Sequence, residues 1–166
     1  MTAKLHQLNV SYIAAEDRLL LKASTSDQQE YRAWCTRRFT KILLDRLEIL
    51  FEKEVDEAQV VPQQARKEVA QLQHGGSVSE QAFEKPYEAE PTSYPLGEEG
   101  LLLTKISYRE QGEEVVVLTL SGDGDKGLTL NMDHKLRHNL YEILSRASRK
   151  ADWFEDLDAP QKPVVH

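Results

Sequence analysis

Asp133, His134 and His138 fall within six residues, and His-x-x-x-His puts two imidazoles on one face of a helix at a spacing zinc sites use. No glutamate lies between the two histidines, as metalloprotease chemistry needs, and the sequence identifies no third ligand, so the pair is expected to be surface histidines and no metal is assigned. The loop SGDGDKG (121–127) spaces its aspartates as calcium loops begin, but Gly127, Leu128 and His134 stand where an oxygen ligand, glycine and glutamate belong. It is expected to join two strands, its glycines supplying positive φ. Cys35, the single cysteine, rules out an internal disulfide, and as a nucleophile it needs a neighbouring base. The acidic pairs Glu16-Asp17 and Glu113-Glu114 fall in turns, where a solvated carboxylate keeps an ordinary pKa. Neither G-x-S-x-G, G-x-G-x-x-G nor a phosphate-cradling glycine loop occurs. The expectation is a protein that is not an enzyme and carries no cofactor.

Binding chemistry is better represented. The stretch YRAWCTRRFTKILLDRL (31–47) sets Trp34 among arginines. Tyr31, Ala33 and Cys35 alternate as the inward residues of a strand, which turns Arg32 and Trp34 to the opposite face, beside Arg18, Leu20 and Lys22 of a neighbouring strand. An aromatic platform in a basic groove stacks single-stranded nucleic acid, and Arg37, Arg38 and Lys41 could extend it to phosphates. The competing expectation is that Trp34 packs under the rest of the chain with arginine stems shielding it.

The elements that position these residues follow from periodicity. Thr36 sits where a helix N-cap belongs, followed by helical spacing at Phe39, Leu43, Leu47 and Leu50. Asp133 begins the same pattern at Leu136, Leu140, Ile143, Leu144 and Ala147. Residues 9–24 and 105–121 share a Ser-Tyr stretch, an acidic turn, an apolar run and a serine, the second copy reading with one extra residue in its turn. Past that turn an offset of 97 carries Leu19 to Val116, Cys35 to Met132, Thr36 to Asp133 and Leu47 to Leu144.

The fold class expected is α+β: tandem duplicated βββα units packed as one pseudo-twofold domain. The first unit spans 1–58 and the second 100–150; between them, 59–99 holds a short helix after Pro62 and an acidic linker containing proline and glycine, and 151–166 is a C-terminal tail. Leu44, Ile49 and Phe51 lie off the main stripe of the first helix, to be covered by the short helix or to form a dimer interface. Trp153, Phe154 and Leu157 of the tail either pack back on the domain or dock in a partner's groove.

The net charge of -7 is concentrated in the middle: residues 1–50 carry +2, 51–100 carry -7 and 101–166 carry -2. No apolar run approaches the roughly 20 residues of a membrane span, and the start MTAKLHQLNVSYI lacks the continuous apolar core of a signal peptide. A cytoplasmic protein without a membrane partner is expected.

The run VSYIAAEDRLLLK with the later TRRF resembles a set of small uncharacterised proteobacterial proteins, which implies a bacterial origin and supplies no activity. The tandem sheet-plus-helix plan also resembles the PUR-repeat and Whirly-type single-strand binders, whose repeats have four strands where three are read here. The leading functional expectation is a binding or adaptor protein acting through protein contacts or as a homodimer. The alternative is a single-stranded nucleic-acid binder.

Overall fold

A computed structural model describes residues 5–58, 87–112 and 114–154. The short helix expected after Pro62 and the Leu157 end of the tail lie outside the described residues. In chain order the elements are β1 (Leu5–Ile13), β2 (Arg18–Thr25), β3 (Glu30–Cys35), α1 (Arg37–Ala58), β4 (Leu101–Leu102), β5 (Lys105–Gln111), β6 (Val115–Ser121), a 3-10 turn (Asp123–Asp125), β7 (Gly127–Met132) and α2 (His134–Lys150). The class is α+β, and none of the described helices is long and apolar enough to cross a membrane.

Alternation sets the faces. Leu19, Leu21 and Ala23 of β2 are buried opposite Cys35, Ala33 and Tyr31 of β3, and Val116, Leu118 and Leu120 of β6 are buried opposite Met132, Leu130 and Leu128 of β7. These two registers match residue for residue at the offset of 97. The helix starts match as well: Thr36 Oγ1 accepts from the Phe39 amide at 3.1 Å, and Asp133 Oδ1 accepts from the Leu136 amide at 2.8 Å. Each cap satisfies an amide that the first helical turn leaves free.

The first strands depart from the Ser-Tyr alignment. Ile13 pairs with Arg18 across residues 14–17, whereas Gln111 pairs with Val115 across residues 112–114, so the second connection is one residue shorter, not longer. Val10 opposite Leu21 therefore matches Tyr108 opposite Leu118, two residues away from the Ser-Tyr correspondence. Strand register is set by the turn, and a two-residue shift leaves each side chain on its own face, so the sequence pattern survives the change.

A strand from the second stretch joins the first sheet. Leu101 and Leu102, in the stretch assigned to the second unit, form β4 and pair in parallel with Ala33 and Trp34, giving a first sheet of order β1-β2-β3-β4 and a second of order β5-β6-β7. α2 packs against α1 and against β1 of the other half. One buried cluster joins Leu21 and Cys35, Leu43 and Leu47 of α1, Leu118 and Met132, and Leu140 and Leu144 of α2. Leu44 and Phe51 belong to it, at 2% and 4% exposure, which corrects their reading as an interface; only Ile49 of the three faces solvent. Because α1 is covered by sheet and by α2, its apolar stripe is wider than one row of residues.

The tail packs back at its start. Trp153 is buried, lies edge-on to Tyr12 with ring centroids 5.8 Å apart, and holds Arg37 through its carbonyl, which accepts from Nη2 at 2.7 Å. The 121–127 loop is a strand connection in which Gly124 (φ 73°) and Asp125 (φ 58°) take the left-handed conformation.

Candidate functional site

The outward face of the first sheet gathers four of the sequence-derived binding residues. Lys22 stands opposite Arg32 and Leu20 opposite Trp34, and Arg18, Lys22, Arg32 and Trp34 line one shallow hollow with Glu16, Glu98, Glu99, Gly100 and Leu102. Arg37, Arg38 and Lys41 do not line it, because the strand ends at Cys35 and α1 leaves in a new direction. Arg37 is instead bound to the tail.

This face is engaged by the chain's own acidic segment. The Trp34 indole donates to the Glu99 carbonyl at 2.7 Å, and Arg32 Nη1 donates to the Glu98 carbonyl at 2.7 Å. Arg32 also pairs through Nε with Glu30 at 2.6 Å and stacks its guanidinium 4.5 Å over the Tyr94 ring. Glu30, 2% exposed, accepts a second bond from the Tyr87 hydroxyl at 2.8 Å. Burial pushes its carboxyl up, but the bonds from Arg32 and Tyr87 more than offset this and leave it below the usual carboxylate range. Gly100 makes the fit: at φ 87°, its missing Cβ would stand 2.8 Å from Trp34 Nε1. The stretch read as an acidic linker is, from residue 87 onward, bonded along the sheet, with Thr92 donating to the Gln28 carbonyl and Glu30 to the Ser93 carbonyl.

Cys35 lies in the core with no exposed surface, and burial pushes its thiol up to about 12. Such a thiol is a packing group. Asp17 corrects the expectation for turn carboxylates: the Trp153 indole (3.0 Å) and the Tyr12 hydroxyl (2.8 Å) both donate to it, and these bonds hold it below the usual carboxylate range.

A second constellation lies where α1 crosses α2. His138 is completely buried, not a surface histidine, with its ring stacked on Phe51 at 4.0 Å between centroids and 8° between planes. Its Nε2 lies 3.0 Å from Glu54 Oε2, the same oxygen that His134 Nδ1 approaches at 3.0 Å. Arg137, 7% exposed, reaches the other carboxylate oxygen through Nη2 at 3.0 Å. Sequence reasoning found the two histidines and missed Glu54, which is 84 positions from His138 and sits in a run of acids that gives it no distinction. Asp133 stays apart as the helix cap.

No protein-family model, curated protein or solved structure matches the chain.

Proposed function

We propose that this is a non-enzymatic bacterial binding or adaptor protein of the cytoplasm, acting through protein-protein contacts and built from two tandem βββα copies about a pseudo-twofold axis. The duplication is supported by the matching strand registers and helix caps at the offset of 97. The observation that carries the binding function is a pair of isoleucines on α1. Ile42 and Ile49, two turns apart on one face, are 41% and 40% exposed, while Leu43, Leu44, Leu47 and Leu50 beside them are buried. Lys41, Asp45, Arg46 and Lys53, all exposed, flank them with charges of both signs. An apolar pair with a mixed charged rim suits the apolar face of another amphipathic helix, and a second copy of α1 meets that description.

The alternative, single-stranded nucleic-acid binding through Arg18, Lys22, Arg32 and Trp34, is weakened by the hydrogen bonds that occupy Arg32 and Trp34 and by the three glutamates in the same hollow. Two measurements test these readings. Light scattering of the wild type and of Ile42→Glu/Ile49→Glu is expected to show an associated state that the double variant loses; a strictly monomeric wild type that also retains no helical partner peptide counts against the proposal. Quenching of tryptophan fluorescence by oligonucleotides at low salt would instead favour the alternative, since phosphate contacts are strongest there.

A further inference from the structure

The crossing of α1 and α2 brings together three groups whose chemistry exceeds that of an ion pair. Glu54 Oε2, His134 Nδ1 and His138 Nε2 all lie within 4.8 Å of one another. A zinc ion bound at about 2.0–2.1 Å holds tetrahedral ligand atoms about 3.3 Å apart. The two imidazole-to-carboxylate distances, each 3.0 Å, are within a few tenths of that spacing.

We infer that Glu54, His134 and His138 form a binding site for one borderline divalent cation of the Zn2+ type. The donor set of two imidazoles and one carboxylate suits such an ion and disfavours calcium or magnesium, which take all-oxygen shells. The surrounding groups fit ligand support. Phe51 stacks on His138, and Arg137 forms an ion pair with Glu54 Oε1, while Oε2 is the oxygen that faces both imidazoles. Hydrogen bonding also leaves a mismatch: Arg137 Nε is buried and has no acceptor among the described residues, and Glu54 Oε1 receives only an ion-pair contact without hydrogen-bond alignment. His134 has 49% of its side chain exposed, which gives the ion an entry path from solvent.

The test is calorimetric titration of metal-stripped full-length protein with Zn2+, alongside visible absorption of the Co2+ form and the melting temperature as Zn2+ is raised. One ion per chain, the absorption of tetrahedral Co2+ and a concentration-dependent rise in Tm are expected. His134→Ala removes a half-exposed ligand without opening the core and should weaken binding by at least about 10-fold; Glu54→Gln, which keeps its shape, should do the same. Absence of a Zn2+-dependent heat and Tm shift overturns the inference. So does undiminished, wild-type affinity in both variants, which would place the ion on His6, His74 or His166.

Discussion

Trp153 donates its indole N–H to Asp17 Oδ1 across 3.0 Å, tying the residue that follows α2 to the turn between β1 and β2. One contact thus joins the end of the second half to the beginning of the first. The indole is 4% exposed and belongs to the shared core.

Truncating that side chain should therefore act on the whole molecule. Trp153→Ala is expected to cost about 3–5 kcal/mol, measured by urea unfolding, from lost burial and the cavity left behind. Trp153→Phe keeps most of the packing but loses the hydrogen bond, and should cost about 1–2 kcal/mol. A loss under about 1 kcal/mol in the alanine variant would mean that the tail does not contribute to the core.

Acid should weaken the same strap. The carboxyls of Asp17 and Glu30 are both lower in the folded chain than in the unfolded one. The folded state then binds fewer protons, so their contribution is complete above the unfolded carboxylate pKa of about 4 and is lost as pH falls through the lower folded values. Urea midpoints should be flat near neutrality and decline below about pH 4. Asp17→Asn should make that decline shallower, and an unchanged slope would show that Asp17 does not contribute to it.

Thiol chemistry should report unfolding and nothing else. With Cys35 fully buried and its thiol raised to about 12, Ellman's reagent at pH 8 should label the native protein only at the rate of opening. Rapid stoichiometric labelling under native conditions would contradict the core placement.

Gly100 leaves no room for a side chain beneath the Trp34 indole. A methyl group there meets the Trp34 indole at 2.8 Å and the Arg32 carbonyl at 3.3 Å, in a backbone conformation with φ 87°. Gly100→Ala should cost about 1–3 kcal/mol and shift Trp34 emission to the red as the indole loses the Glu99 carbonyl. An unchanged spectrum would show that the acidic segment can move aside without disturbing the tryptophan.

Much of the architecture was legible because it rests on local periodicity. Tyr31, Ala33 and Cys35 alternate, Thr36 and Asp133 cap, and the apolar residues of both helices recur at helical spacing, so strand, cap and helix could be read in each half. The repeated Ser-Tyr is a matter of residue identity, while the register is shown by the pairs Ile13 with Arg18 and Gln111 with Val115, which the identity does not fix. The candidate cation site was half legible. His134 and His138 are four apart on one helix, but the burial of His138 comes from Phe51 and α1, and the third ligand comes from Glu54.

By itself the sequence determined the faces: which residues of each strand point inward, where each helix begins, and that Arg32 and Trp34 share the outward side with Lys22. These are short-range consequences of the two-residue repeat of a strand and the 3.6-residue repeat of a helix. Only the tertiary structure decided what covers those faces. Segment 94–100 could fold over Arg32 and Trp34, α2 could meet α1 at Glu54, and Trp153 could reach Asp17 only once the halves had packed. Contacts between residues 65 to 136 positions apart leave no periodic trace in the chain, since they depend on how the packed elements close around a common core.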